Sequence, residues 1–293
     1  MLSHHLQEIT KALVPVSQTP ALDAELLLAH VLDKDRNYVL THPSHKLTTE
    51  QLHKLEKLSR KRLKSYPLSY LTNQREFWGN NFYVDESVLI PRPETELLVE
   101  EAVRTLAGAN PQHVADIGTG SGCIAISLVK EAPDHTYLAT DISPAALRIA
   151  SLNAIKHRAA DKITFYEGNL LEPLFHPAEP LPNRNLLLIA NLPYIDIHQQ
   201  QRDDLTPKPR ALSEGTRFEP RRALHGGYKG MELPKQFLSQ VQGYGLQDSI
   251  ILMEIGYDQI DELYDYTKRL LPHANIGARK DLGGLERMIR IEV

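Results

Sequence analysis

The chain has 293 residues, 42% of them hydrophobic and 24% charged, with a formal net charge of −4; this is ordinary globular usage, and long enough for one large domain or a main domain with a smaller one. Its single cysteine, Cys123, excludes an internal disulfide and a thiolate zinc site and argues for a reducing compartment. No apolar run reaches the length of a membrane span, the opening MLSHHLQEIT lacks the marks of a signal peptide, and the 13 histidines are scattered without paired ligand spacing, so a cytoplasmic protein with no metal and no membrane association is expected.

Charge is uneven along the chain. Residues 1–80 carry eleven Lys or Arg against eight Asp or Glu. Much of that basic excess lies in KLEKLSRKRLK, residues 54–64. Such a run is either a solvated helix face or a docking surface for an acidic partner.

The N-terminal part reads as helical. ALDAELLLAHVL (residues 21–32) places Leu22, Leu26 and Ala29, and then Leu27 and Val31, at helical spacing. TTEQLHKLEKLSRKRL repeats Leu at 52, 55, 58 and 63, with Thr48 or Thr49 as the N-cap. These elements outline a small helical domain, residues 1–66. A hairpin linker is expected over 67–92, where aromatic and β-branched residues flank a connector, Gly79–Asn81. PRPETELLVEEAV then opens a helix with Pro93 in its first turn and acidic residues at its positive end.

From residue 113 strand and helix alternate. HVADIG, TYLATDI, KITFYEG, NLLLIANLPY and SIILMEIG read as strands. CIAISLVKEA, SPAALRIASLNAIKH and DQIDELYDYTKRLL read as helices, and two terminal strand-like runs are joined through Gly283–Gly284. The expected class is α/β, a doubly wound, mostly parallel, Rossmann-like sheet over residues 93–293 with an antiparallel pair at its end. Residues 196–231 lack periodicity and read as a long loop over the pocket.

DIGTGSG (Asp116–Gly122) closes the first strand and opens the first helix. Gly118, Gly120 and Gly122 let the backbone turn tightly and bring helix N–H groups to a ligand; Thr119 and Ser121 lie between them. The spacing is G-x-G-x-G, with Cys123 where a dinucleotide fingerprint has its third glycine, so a pyrophosphate is not indicated. Asp141, nineteen residues after Gly122 at the end of the second strand, is placed to accept both ribose hydroxyls. Asp116 is placed to meet an ammonium group or to steady the loop. A ligand with a ribose, a cationic end and no phosphate fits S-adenosylmethionine.

ANLPYI (residues 190–195) ends the fourth strand at the same sheet edge, beside the expected methyl donor. A planar nitrogen is a weak nucleophile because its lone pair is delocalised. The Asn191 side-chain oxygen and the Leu192 carbonyl can accept its two N–H bonds and aim it for in-line attack. Pro193 restricts Leu192 to an extended conformation, and Tyr194 offers a flat wall. These four residues alone leave a glutamine amide and an adenine amine both open as acceptor.

REFWGNNFYVDESVLIPRPETELLVE (residues 75–100), DIGTGSGCIAISL, ATDIS, EGNLLEPL, ANLPYI, FEPRRALHGG and LMEIG together resemble the release-factor glutamine methyltransferases (PrmC/HemK). The resemblance runs over nearly the whole chain, and IPRPETE (Ile90–Glu96) is its most specific part. It implies a helical N-terminal domain that docks the substrate, a hairpin linker and a seven-stranded class I methyltransferase domain. It implies methyl transfer from S-adenosylmethionine, leaving S-adenosylhomocysteine, to N5 of the glutamine in the Gly-Gly-Gln loop of a peptide-chain release factor. Gly118–Gly122, Asp141, Ile142 and Asn191 match cofactor positions, Asn169 and Leu170 the adenine side, and Asn191–Tyr194 the substrate-amide motif. Phe82, Arg92, Pro93 and Glu94 are expected to line the substrate entrance. A monomer with no direct nucleic-acid contact is expected. Three positions depart from the family pattern: Leu192 replaces a proline, Asn169 an aspartate and Lys229 an aspartate. Asn-Leu-Pro-Tyr is also similar to the motif of rRNA adenine dimethyltransferases, so an adenine N6-methyltransferase acting on ribosomal RNA is the alternative. Cys123, Phe77 and Trp78 read as packing residues.

Overall fold

In the computed structural model the described residues are 1–110, 112–176, 180–196 and 214–293; residues 197–213, most of the first half of the expected long loop, lie outside them. The chain divides into two units. The first comprises Met1–Gln74 with the described residues Glu214–Phe218, and the second comprises residues 75–196 with Glu219–Val293.

Five helices build the first unit: α1 (Leu2–Leu13), α2 (Pro20–Leu32), α3 (Arg36–Thr41), α4 (Thr49–Arg62) and α5 (Leu68–Thr72). Their shared core holds Leu2, Leu13, Leu27, Leu28, Val31, Val39, Leu55 and Leu71. Leu22, expected on the inward stripe of α2, is exposed instead, and the helix buries Ala24, Leu27, Leu28 and Val31. Thr48 caps α4 in a reciprocal capping box with Gln51. The basic run on α4 is partly committed within the unit, because Arg62 Nε donates to the buried Asp23 at 2.7 Å. Residues 68–72, expected within the hairpin linker, form α5 after Pro67 instead.

The second unit opens with a two-stranded hairpin, β1 (Arg75–Phe77) and β2 (Asn80–Phe82). Its turn is Trp78–Gly79, not Gly79–Asn81, because Asn80 and Asn81 pair with Phe77 and Glu76. Both turn residues have positive φ, 50° and 64°, which suits a tight two-residue hairpin but is a strained conformation for tryptophan. Trp78 is held by two carboxylates: its backbone N–H donates to Glu96 at 2.8 Å and its indole N–H to Glu131 at 2.9 Å.

A seven-stranded sheet follows in the order β5-β4-β3-β6-β7-β9-β8. Its strands are β3 (His113–Ile117), β4 (Thr136–Asp141), β5 (Ile163–Glu167), β6 (Leu186–Ala190), β7 (Ile250–Glu254), β8 (Asn275–Lys280) and β9 (Glu286–Glu292). The first five are parallel, and β9 runs antiparallel to β7 and β8. Strands buried on both faces are apolar throughout, as β6 (LLLIA) is. Leu187 and Ile189 face α6 (Glu96–Leu106) and α7 (Cys123–Glu131), while Leu186, Leu188 and Ala190 face α9 (Glu232–Gly243) and α10 (Ile260–Leu270).

The helix α8 (Pro144–Lys156) starts at Ser143, whose hydroxyl accepts from Ala146 N. It also supplies a buried tie. Asn153 Oδ1 accepts from Tyr83 N at 2.7 Å, and its Nδ2 donates to Tyr83 O and Ser121 O at 2.9 Å each. One amide thus joins the exit of the hairpin to the glycine loop. Asn153→Ala strands these backbone groups in the core, so urea unfolding should show a loss of about 1–3 kcal/mol.

Candidate active site

Strand register assembles the site. Thr140, Ile117, Ala190 and Met253 lie in one row across β4, β3, β6 and β7. The next residues, Asp141, Gly118, Asn191 and Glu254, therefore fall side by side at the carboxyl edge. The sheet reverses its direction of growth between β3 and β6, the position where open α/β sheets bind ligands. A cavity of about 520 Å³ opens there, lined by the glycine loop, Asp141, Ile142, Asn169, Leu170 and Asn191–Pro193 among others.

Gly118, Gly120 and Gly122 all have positive φ. The strictest demand falls on Gly122, where a Cβ would lie 3.1 Å from Ile126 and 3.2 Å from the Ala150 backbone. Asp141 braces the loop from the cavity side: its carboxylate accepts from Gly120 N and Ser143 N at 2.9 Å each. Burial raises its pKa, against those backbone bonds and the nearby Arg222, which also lines the cavity.

Asp116 takes the steadying role. One oxygen accepts from Thr119 Oγ1 at 2.6 Å and from Ala125 N at 3.2 Å. It does not line the cavity. Burial pushes its carboxyl up to about 6. Cys123 is a buried packing residue whose thiol is pushed up to about 12 by burial.

The Asn191–Tyr194 segment is held on two sides. Gln259 Nε2 donates to Tyr194 O and to Lys229 O at 3.0 Å each. Ile195 N donates to Leu224 O, and Gly226 N to Ile195 O. A side chain at Gly230 would overlap the Tyr194 carbonyl. The loop that carries Lys229 thus acts through its backbone; the Lys229 ammonium points to Glu262. Leu192 lies in the core, with a methyl group 3.3 Å from the point a Cβ on Gly118 would occupy. Its bulk is absorbed by the space that glycine leaves.

Asn191 Nδ2 donates to Thr95 Oγ1 at 2.9 Å, and Thr95 Oγ1 donates to Glu254 Oε2 at 2.7 Å. Tyr194 OH donates to the other oxygen of Glu254 at 3.1 Å. Tyr194 is therefore a committed donor and not part of the cavity wall. Burial pushes Glu254 up to about 7.

The expected entrance residues divide. Phe82 is fully buried, packed edge-on to Phe77 at 6.2 Å and against His157. The assignment of Phe82 to a substrate entrance is corrected by this packing. Arg92, Pro93 and Glu94 lie between two cavity-lining residues, Pro91 and Thr95, without lining it themselves. Arg92 pairs with the buried Glu219 at 2.6 Å, and Glu219 also accepts from Ile90 N at 3.2 Å. That gives Glu219 a defined role: it fastens the Pro220 loop to the Ile90–Arg92 approach. Thr95, Glu254, Arg222 and Gln259 are the residues that motif reading passed over. Thr95 stands inside IPRPETE, and Glu254 ends the strand beside β6, so strand-end position is the signal that finds it.

A PrmC N-terminal domain matches residues 4–72, and a methyltransferase small domain matches residues 93–193. A release factor glutamine methyltransferase of Coxiella burnetii is 36% identical, covering 97% of this chain and 95% of the relative. The chain belongs to the release factor glutamine methyltransferase family. A second family member, from Aliivibrio fischeri, is 32% identical and covers 98% of this chain and 94% of its own length. Among solved structures, the hMettl16 catalytic domain in complex with MAT2A 3'UTR hairpin 1 covers 90% of each chain with a TM-score of 0.56 and 14% identity. At that identity the likeness is one of fold, and it agrees with the seven-stranded class I methyltransferase sheet. Leu192, expected to stand in place of a proline, packs against Gly118.

Gly122→Ala should lower the unfolding midpoint in urea, by the equivalent of about 1 kcal/mol or more, because it combines a positive φ with contact against Ile126 and Ala150.

Proposed function

We propose that this chain transfers a methyl group from S-adenosylmethionine to the side-chain amide nitrogen of the glutamine in the Gly-Gly-Gln loop of a peptide-chain release factor. The observation that carries the reading is the strand-end row, which sets Asp141, the glycine loop and Asn191 around one cavity. Full-length likeness to release factor glutamine methyltransferases supports the choice of acceptor.

The residues present fit the cofactor. The cavity volume lies in the range of small-molecule sites. Asp141 keeps acceptor capacity beyond its two backbone bonds and would hold the ribose hydroxyls. The glycine-loop backbone and the first turn of α7, through Cys123 and Ile124, would border the amino-acid end, and Asn169, Leu170 and Ile142 would bound the adenine. When bound, S-adenosylmethionine supplies an electrophilic methyl group on a sulfonium.

The chain's own residues then act on the acceptor. Asn191 Oδ1 and the Leu192 carbonyl accept the two N–H bonds of the glutamine amide and hold the nitrogen with its lone pair toward the methyl. Pro193 keeps Leu192 extended, which aims that carbonyl. Transfer of the methyl to that nitrogen would leave S-adenosylhomocysteine, and the extra proton would leave the nitrogen afterwards. An adenine acceptor in ribosomal RNA is not favoured: relatives covering the whole chain carry the glutamine name, whereas the RNA-bound neighbour shares only the fold.

The reading is tested by incubating the protein with labelled S-adenosylmethionine and either an unmodified release factor or unmodified ribosomal RNA. Label is expected on the release-factor glutamine; label on RNA alone would reject the assignment. Asn191→Ala should abolish methyl transfer while cofactor binding, measured by calorimetry, stays within about tenfold. Asp141→Ala should weaken cofactor binding by about 1.5–3 kcal/mol, and an unchanged dissociation constant would remove Asp141 from the ribose site.

A further inference from the structure

The side chain of Asn191 has two ends of nearly equal shape and opposite chemistry. Only its oxygen can accept an N–H from a substrate amide, so one orientation is active and its flip is not. Something must choose between them.

We propose that Thr95 and Glu254 are positioning residues that fix the Asn191 amide with its oxygen toward the acceptor nitrogen. This rests on the methyl-transfer reading above. An ionised carboxylate can only accept hydrogen bonds. Glu254 takes one from Thr95 at 2.7 Å and one from Tyr194 at 3.1 Å. Thr95 has one hydroxyl proton, and it is spent on Glu254. Its oxygen is then an acceptor, and the partner it accepts from is Asn191 Nδ2 at 2.9 Å. Nδ2 is thereby turned toward Thr95, and Oδ1 is the end left for the cavity that Asn191 lines. The charge of Glu254 sets the direction of each bond in turn. Thr95 and Glu254 are both almost wholly buried, so water does not substitute for either partner.

Protonation of Glu254 reverses this order. A neutral carboxyl can donate to Thr95, whose own proton is then offered to Asn191. The amide answers by turning Oδ1 to Thr95 and its N–H groups to the substrate, where they repel the acceptor's own N–H bonds. The groups that face Glu254 are Thr95 ahead of α6, Tyr194 after β6, Glu94, and Arg287 on β9. Burial and Glu94 raise its pKa; the bonds from Thr95 and Tyr194 and the charge of Arg287 lower it, and the balance stands at about 7. The charge of Glu254 and burial raise Tyr194, which stays protonated and donating. The active orientation is therefore present above about pH 7 and is lost as pH falls through that value.

Two measurements on the full chain test this. The first follows the side-chain N–H pair of Asn191 by nitrogen-15 NMR without substrate, assigned through its absence in Asn191→Ala. It should titrate with a midpoint near neutrality in the wild type and not in Glu254→Gln. The second compares kcat, KM and cofactor affinity across the neutral pH range. Glu254→Gln and Thr95→Val should each lower kcat on the order of a hundredfold, with the acid limb of the kcat profile lost and cofactor affinity retained. Thr95→Ser should recover most of the activity lost in Thr95→Val. A non-titrating Asn191 amide, or wild-type kcat in Thr95→Val, would overturn the proposal. Because the NMR arm needs no substrate, a wild type that labels RNA instead of a release factor would reject the functional reading and still leave this one decided.

Discussion

Parallel pairing of β4, β3, β6 and β7 fixes a row of Thr140, Ile117, Ala190 and Met253, and the position after each strand inherits that alignment. Strand spacing of about 4.8 Å then places Asp141, Gly118, Asn191 and Glu254 as neighbours before any of them makes a specific contact. A register slip of one residue would turn the apolar side chains of β6 to the opposite faces and pull Asn191 out of line with the glycine loop. Apolar burial on both sheet faces therefore stabilises the geometry of the site as well as the fold. Polar side chains at the edge have only to refine a placement that hydrophobic packing has already made.

That refinement comes from single side chains that each bridge two segments. Asn153 ties the hairpin exit to the glycine loop, Glu219 ties the Pro220 loop to the approach to α6, and Gln259 ties Tyr194 to Lys229. Each is largely buried and hydrogen-bonded at both ends of its side chain, where a lost partner is costly. The cavity is thus bounded by loops that are fastened at a few points each.

Motif-bearing parts of this architecture were legible because backbone chemistry left a mark. The glycine loop needs positive φ, and Asp141 and Asn191 stand where apolar strands end. The alternation of strand and helix from residue 113 shows in the apolar periodicity of the same stretch. What escaped had no local mark. Phe82 looks like an exposed hairpin aromatic, yet the hairpin folds it inward onto Phe77 and His157. The turn at Trp78–Gly79 demands a positive φ from a residue type that rarely adopts one. Thr95 and Glu254 lie 159 positions apart in the chain, and only the sheet brings them together. Tyr194 reads as a wall until its hydroxyl is seen to be bound to Glu254.

Trp78 has one more consequence. It is the chain's single tryptophan, and its backbone and indole are bound to Glu96, at the start of α6, and Glu131, in the last turn of α7. The first turn of that same α7 receives the glycine loop. Intrinsic tryptophan fluorescence therefore originates from one clamp, shared by the hairpin and the two helices behind the cofactor edge. It offers a label-free optical reporter of that clamp.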